Sequence, residues 1–432
     1  MAKICKIYDV LIIGAGAAGL FLAANLRGKS VAILEKNATP GKKILASGGG
    51  RCNITNRRID ASNYLGDANF VKNILKNLDF KDVLKFFGEL KFNEQKQNQF
   101  FCESGAKDVL GVLLKRAKQS GAQIFCGVCV KSARKILTDE NGQILDVSPE
   151  QNRGENLTDF EMKFDRCEQN LNEIFEVLAE NGDKFYAQNL VVASGGLSYK
   201  SLGASDIGYE IAQSFGIKVI PPVPALVGFT VQKDEFWFKN LSGVCFPAEI
   251  SVACANKNAA NRELKMLRKF AGDILFTHKG ISGPAVLNAS LFWQKGLIAI
   301  NFCPNFSIET AQKSKKQLST ILPLPRRFTL EFLRAAGLSD KPYGEYKADE
   351  AAKISRLFAY EFAPAGTFGF ERAEVTKGGV DTDALDANCG HNDTRGLYFI
   401  GEVLNVTGML GGYNLHFAFA CAANLAKRLN AE

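Results

Sequence analysis

The sequence predicts an α/β protein, on three observations. Residues 8–13 form a short, branched, apolar run that opens into GAGAAG and a helix-forming stretch, 20–26; a second apolar run, 30–34, then closes on Glu35. Near-continuous apolar strands of this kind belong to a parallel sheet covered on both faces. Far downstream, 395–402 reads as a polar turn, a short strand and Gly-Glu, followed by a long small-residue helix over 415–429. In between, 223–306 alternates apolar and polar residues in short runs, as at 248–253 and 297–302, which suits antiparallel strands.

The N-terminal element carries the most specific chemistry. Gly14, Gly16 and Gly19 stand in the spacing G-x-G-x-x-G with Ala17 and Ala18 among them, and Glu35 lies 16 positions beyond the last glycine. Gly14 permits a tight turn, and Gly16 lets the backbone approach a pyrophosphate at the helix N-terminus. Gly19 allows helix and strand to pack closely, and Glu35 can accept hydrogen bonds from a ribose. The pattern therefore reads as a dinucleotide site in a Rossmann-like unit.

The C-terminal element chooses between nicotinamide and flavin. A strand ending in Gly401 and Glu402, then Gly412 before a helix, suits a flavin. The acid can hold the ribityl chain, and free helix N–H groups can face the pyrimidine edge, where negative charge develops on reduction. FAD is the expected cofactor.

Composition bounds the rest. A chain of 432 residues exceeds the usual size of a single core, so two or three domains are expected. The net charge of +8 is mild for this length, and alone it disfavours a nucleic-acid partner relative to a small molecule. Eleven cysteines without a repeating spacing read as reduced thiols, not a disulfide framework. Lys3 and Lys6 before the first apolar run imitate a secretory signal, but Asp9 and the spaced glycines interrupt it. Nothing approaches the ~20 apolar residues of a membrane span. The expectation is a cytoplasmic protein with no membrane partner.

Several longer stretches carry a resemblance: GKKILASGGGRCNITN, ASGGLSYKSLGASDIGYEIA, ILFTHKGISGPAVLNAS, AEVTKGGVD and GLYFIGEVLNVTGMLGGYNLHFAFACA, together with GAGAAG. Over nearly its whole length the chain resembles the BaiN/YhiN-like (aminoacetone-oxidase-like) FAD-dependent flavoproteins of the two-dinucleotide-binding-domain superfamily. Asn405, where the family usually has aspartate, and His416, where glutamine is common, depart from its pattern.

The resemblance implies a discontinuous FAD domain, 1–222 and 377–432, holding an inserted β-barrel domain over 223–306. It also implies a small helical cap over 307–364 and a return through the barrel over 365–376. The prolines at 221, 222 and 224 would form a rigid exit, and Leu330, Leu333 and Ala336 the buried face of a cap helix. Residues 138–172 read as an elaborated surface hairpin. The resemblance also places the glycine run beside the flavin. Expected cofactor contacts then extend from the fingerprint and Glu35 to Lys36, Lys43, Ser47, Gly48, Gly49, Gly50, Arg51, Cys52 and Asn53. Further on they take in Gly195, Gly196, Gly401, Glu402, Gly412, Tyr413, Asn414 and Leu415. Arg51 could offer a charge-assisted bond to phosphate, while Asn53 and Asn56 could hold the irregular loop.

Catalytic candidates are fewer. His278, His416 and Tyr413 could donate a proton near the flavin, against the default of a histidine satisfied by backbone. Cys126 and Cys129 form a CxxC, but a single strand over 124–130 would put them on opposite faces. No metal site is expected. The function that follows is FAD-dependent oxidoreduction between NAD(P)H, docking transiently near Ser282, Gly283 and Tyr413, and a small molecule. Alternatives are an oxidase of a small amine or alcohol, or a flavoprotein acting on an RNA base. The last is motivated by the basic run of Lys313, Lys315, Lys316, Arg326, Arg327 and Arg334.

Overall fold

The computed structural model describes residues 6–139, 144–145, 172–255 and 264–432. They fall into two compact units, Met1–Pro222 with Gly378–Glu432, and Val223–Lys377. The chain passes between them in two extended segments, Val219–Ala225 and Val375–Val380, which pair with each other. The proline-rich exit is thus a strand, as a partner able to do without the missing N–H groups allows.

The first unit is built on one mixed sheet. Its strands are β1 (Ile7–Ile13), β2 (Val31–Glu35), β3 (Gln123–Cys126), β4 (Val130–Thr138), β5 (Asn172–Ala179), β6 (Lys184–Val192) and β7 (Leu397–Phe399), with the two-residue strand Ile144–Leu145 antiparallel to β4 at the outer edge. The spatial order is β3-β2-β1-β6-β5-β4. β3, β2, β1 and β6 run parallel, while β5 pairs antiparallel with the first half of β6. β7 adds parallel to the last half, Leu190 opposite Leu397. Val10, Leu11 and Ile12 are fully buried, as a strand covered on both faces demands. Asp9 at the start of β1 is satisfied: its carboxylate accepts from Ser30 N at 2.6 Å and Ser30 Oγ at 2.7 Å. Helix α1 (Ala17–Asn25) and helix α2 (Tyr413–Leu429) pack on each other against this core through small and aromatic residues, with Phe21 and Phe419 rings 4.9 Å apart.

The expected strand over 124–130 is two elements. β3 ends at Cys126, Gly127 turns the chain at φ 75°, and β4 begins at Val130. The opposite-face argument for the CxxC pair therefore does not apply, since the two thiols do not share a strand. The expected elaborated hairpin is described only at its base, where β4 pairs antiparallel with β5; most of 138–172 lies outside the described residues.

The second unit holds a seven-stranded antiparallel sheet. Its order is Tyr360–Phe362, Ile298–Asn301, Cys245–Ala255, Leu264–Thr277, Gly280–Ser282, Phe229–Thr230, Gly366–Thr367. No pairing between its two outermost strands is seen among the described residues, although Tyr360–Phe362 and Gly366–Thr367 follow each other in the chain three residues apart. Four helices, Ile308–Gln312, Leu318–Ile321, Arg326–Ala335 and Ala348–Ser355, follow within 307–364, but Tyr360–Phe362 returns to the sheet. The Arg326–Ala335 helix buries Phe328, Thr329, Phe332 and Leu333 and leaves Leu330 39% exposed. Its inner face is rotated from the expected one because two phenylalanines offer more apolar area than Leu330 and Ala336. No helix among the described residues is long and apolar enough to cross a membrane.

Candidate functional site

The glycine fingerprint is fixed by steric necessity. Gly14 turns at φ 108°, and a Cβ there would lie 2.5 Å from the Ala193 carbonyl oxygen; one at Gly19 would lie 2.1 Å from the Gly14 oxygen. Gly16 differs. A Cβ there would meet nothing within 4 Å, so this glycine leaves open space in front of α1. Gly16 caps α1 with no side-chain hydrogen bond, and the first turn carries no acid. A nine-residue helix thus presents unneutralised N–H groups and the positive end of its dipole to that space.

Glu35 closes this loop from β2. Its Oε2 accepts from Ala15 N at 2.9 Å; its Oε1 accepts from Asn37 N at 2.8 Å and Asn37 Nδ2 at 2.7 Å. A carboxylate has about four acceptor positions. Three are spent inside the protein, so Glu35 clamps the fingerprint and leaves one position, on Oε2, without a donor among the described residues.

The glycine run follows. Gly48, Gly49 and Gly50 take φ values of 57°, 65° and 86°, a left-handed succession that side chains resist. A Cβ at Gly49 would meet nothing within 4 Å. Arg51 is exposed and lies over the Phe101 ring, 4.7 Å from its centroid. Cys52 is fully buried, and burial pushes its thiol up to about 12, so it is an inert packing residue. Asn56 holds the loop as expected: its Nδ2 donates to Gln97 O at 2.9 Å and Gly411 O at 3.0 Å, and its Oδ1 accepts from Arg58 N. The Asn53 amide meets that of Gln99 at 2.6 Å.

The C-terminal segment comes to the same place. A Cβ at Gly401 would sit 3.0 Å from the Ala18 methyl, which puts the Gly-Glu turn against the first turn of α1. Lys43 and Glu402, 359 positions apart, pair at 2.6 Å, and a Cβ at Gly195 would approach Glu402 Oε2 to 4.0 Å. Gly412 caps α2 at φ 90°, and a Cβ there would be 2.5 Å from the Thr55 oxygen. α2 also starts with no side-chain cap and no acid in its first turn. The Asn414 side chain folds back on Gly408, accepting from its N at 2.8 Å and donating to its O at 2.9 Å.

The structure therefore gathers residues 14–19, 35, 43, 48–53, 195, 401–402 and 412–415 around the N-termini of α1 and α2. Ser47 serves the loop by donating to Ile44 O, Gly196 is buried in the turn after β6, and Lys36 is exposed. His416 is not available for proton transfer. It is fully buried, its Nδ1 meets Thr55 Oγ1 at 2.8 Å and its Nε2 meets Leu78 O at 3.1 Å; burial pushes it down to about 4. His278 is exposed on a turn of the second unit, which also carries Ser282 and Gly283. Tyr413 is buried, with its phenol pushed up by burial. In the basic run, Arg334 pairs with Glu331, and Arg327 donates to the carbonyls of Asn240 and Ser242. Sequence reasoning missed Asn37 and Thr55, which act through Glu35 and His416. The two-residue step from Glu35 to Asn37 was the only available signal.

This cradle fits FAD on its own geometry: two helix N-termini without caps, open space where a Cβ at Gly16 or Gly49 would stand, and a free acceptor position on Glu35. Comparison with known proteins agrees. The model of the HI0933-like protein Rossmann domain matches residues 8–157 and 137–428. A ribosomal RNA dihydrouridine synthase of Haemophilus influenzae is 36% identical over 438 residues, covering 97% of this chain and 98% of its own. The Escherichia coli protein of the same name is 34% identical over 440 residues, covering 97% and 98%. A 3-dehydro-bile acid delta(4,6)-reductase of Clostridium scindens is 30% identical over 457 residues, covering 98% of both chains. The chain belongs to the HI0933-like, BaiN/YhiN-like family of Rossmann FAD-binding proteins, and it is an FAD-dependent oxidoreductase.

Proposed function

We propose that the chain reduces a carbon–carbon double bond conjugated to a carbonyl, with NAD(P)H as the source of the hydride. One observation carries this reading: relatives named for an RNA base and for a bile acid, substrates of unlike size and polarity, share that single reaction. Dihydrouridine differs from uridine by two hydrogens across a bond conjugated to a ring carbonyl. The delta(4,6) bonds of a 3-oxo steroid are conjugated in the same way.

Bound at this cradle, FAD would supply the hydride chemistry. The protein's part is to hold and to protonate. The N–H groups at the start of α1 would hold the pyrophosphate, and Glu35 would offer its remaining acceptor position to the ribose. The N-terminus of α2 would favour negative charge at the pyrimidine edge, and the Lys43–Glu402 pair would hold the ribityl chain. The proton for the α-carbon comes from Tyr413, a phenol that is protonated at neutral pH in any case and that burial pushes further up. NAD(P)H, a proton and the unsaturated carbonyl become NAD(P)+ and the saturated carbonyl.

Uracil in RNA is the favoured substrate, since the relatives named for it are the more similar at 36% and 34%, against 30% for the bile acid enzyme. This departs from the small-molecule expectation that net charge alone supports. The test is anaerobic. NADH or NADPH should bleach the flavin, and deproteinised ribosomal RNA lacking dihydrouridine should restore its colour and gain two mass units at a uridine. Colour restored by oxygen alone, with neither RNA nor a 4-ene-3-oxo steroid as acceptor, would refute the reading.

A further inference from the structure

The hairpin formed by Phe92–Gln95 and Gln99–Cys102 ends in a turn with an unusual backbone. Gln97 and Asn98 both stand at φ 61°, two successive left-handed residues without a glycine. Such a backbone persists only where its surroundings over-determine it. They do so here. The Gln97 carbonyl accepts from Asn56 Nδ2 and the Asn98 carbonyl accepts from Arg57 N, both at 2.9 Å, so the segment after the glycine run grips both strained peptides. The tip is thereby held rigidly beside Gly48–Asn53.

Beside this tip lies a recess of about 450 Å³ lined by Gln95, Lys96, Gln99 and Phe101. Phe101 is its one aromatic wall. The ring lies against Gly48, where a Cβ would be 3.1 Å from Cε1, and under the Arg51 guanidinium. The exposed Gln95 side chain has no hydrogen-bond partner among the described residues, and Gln99 meets Asn53 through its oxygen and Gln97 through its nitrogen, leaving one further acceptor and one further donor position. A planar ring plate, a cation and unspent carboxamides suit one kind of ligand. A primary amide offers a donor and an acceptor side by side, the complement of an imide edge with its N–H flanked by carbonyls. Any base offers a π-face that can stack on an aromatic side chain.

We propose that this recess recognises uracil: Gln95 and Gln99 read the N3–H and adjacent carbonyl, Phe101 with Arg51 stacks the ring, and Lys96 meets a flanking phosphate. The proposal rests on the reading that the chain reduces a double bond conjugated to a carbonyl, and it assigns the residues that would select uracil for that reaction. A steroid enone has no N–H for the amides to read.

The FAD-loaded, oxidised protein is titrated with a fluorescent uridine trinucleotide, with its N3-methylated counterpart and with uridine monophosphate, so that binding is read without turnover. Wild type should bind the trinucleotide roughly tenfold tighter than the methylated form, the discrimination a bidentate amide contact supports. Gln95→Leu and Gln99→Leu should erase that preference, and Phe101→Leu should weaken both trinucleotides alike. Uridine monophosphate bound as tightly as the trinucleotide would place the source in free nucleotide and still support uracil recognition. Equal binding of methylated and unmethylated strands by wild type, or an unchanged preference in both glutamine variants, overturns the proposal. The reaction itself is judged separately, by flavin reoxidation with 2-cyclohexenone, which carries no imide. Failure there with intact uracil preference sinks the proposed reaction and not the recognition site.

Discussion

Glu35→Gln tests the cradle most directly, because the substitution keeps the shape of the side chain and changes only what its atoms can do. Three donors converge on the carboxylate, from Ala15 N, Asn37 N and Asn37 Nδ2. An amide can keep its oxygen toward Asn37 and so retain two of these bonds in neutral form. Its NH2 must then confront the Ala15 N–H, and a buried donor is left unpaired at the turn that shapes the approach to α1. Losing one charge-assisted bond costs about 1.5–3 kcal/mol, so FAD affinity should fall by roughly one to two decades. Glu35→Ala, which surrenders all three bonds, should fall further. Asn37→Ala keeps the carboxylate and should fall less than either. Quenching of flavin fluorescence on titrating apoprotein measures all three. If Glu35→Gln binds FAD within threefold of wild type, the clamp is not what orients the fingerprint.

Three further outcomes follow from the same geometry. Gly412→Ala, forced to φ 90° with its Cβ 2.5 Å from the Thr55 oxygen, should lower FAD occupancy at least tenfold while far-ultraviolet dichroism stays native; wild-type occupancy would refute this. His416 is neutral when folded down to about pH 4, whereas an unfolded histidine takes up its proton near 6.5. Its contribution is therefore complete above pH 6.5 and is lost as the pH falls toward 4, about 3 kcal/mol in all. Melting curves of wild type and His416→Gln should run parallel above pH 6.5 and converge or cross below it, and parallel curves down to pH 4 would contradict the assignment. Brief alkylation with iodoacetamide at pH 8 should modify the exposed Cys126 and Cys245 and spare Cys52, whose thiol burial pushes up to about 12. Peptide mass mapping that finds Cys52 labelled as fast as Cys126 would overturn its reading as an inert thiol.

What the residues disclosed in advance was local. β1, the fingerprint and β2 are contiguous, and each demand on them, apolar strand, tight turn, close packing, is met within a few positions of the chain. The same holds for the strand, turn and helix around Gly401 and Gly412. What escaped notice depends on contacts between distant positions. That Glu35 would spend three acceptor positions internally, that Lys43 would meet Glu402, and that Thr55 would take the Nδ1 of His416 cannot be read from spacing. The break between β3 and β4 turned on one glycine, Gly127, whose left-handed turn outweighs the apolar run around it. The face of the Arg326–Ala335 helix was misread because periodicity alone does not rank Phe328 and Phe332 above Leu330. The hairpin of 92–102 carries no apolar pattern of its own; only its neighbours give it a shape.

The order in which the sheet is sewn has a consequence for the newborn chain. β6 must wait for β7, its parallel neighbour, until the whole of Val223–Lys377 has been synthesised. α2, which supplies the second helix terminus of the cradle, comes later still. During that interval the half-made sheet shows an unpaired edge along Leu190–Val192 and an uncovered apolar flank on α1, the kind of surface that invites association with other chains. Pigment then becomes a receipt for completed translation: a polypeptide interrupted within the insertion holds the fingerprint and Glu35, yet it has no Glu402 and no second helix with which to keep a flavin.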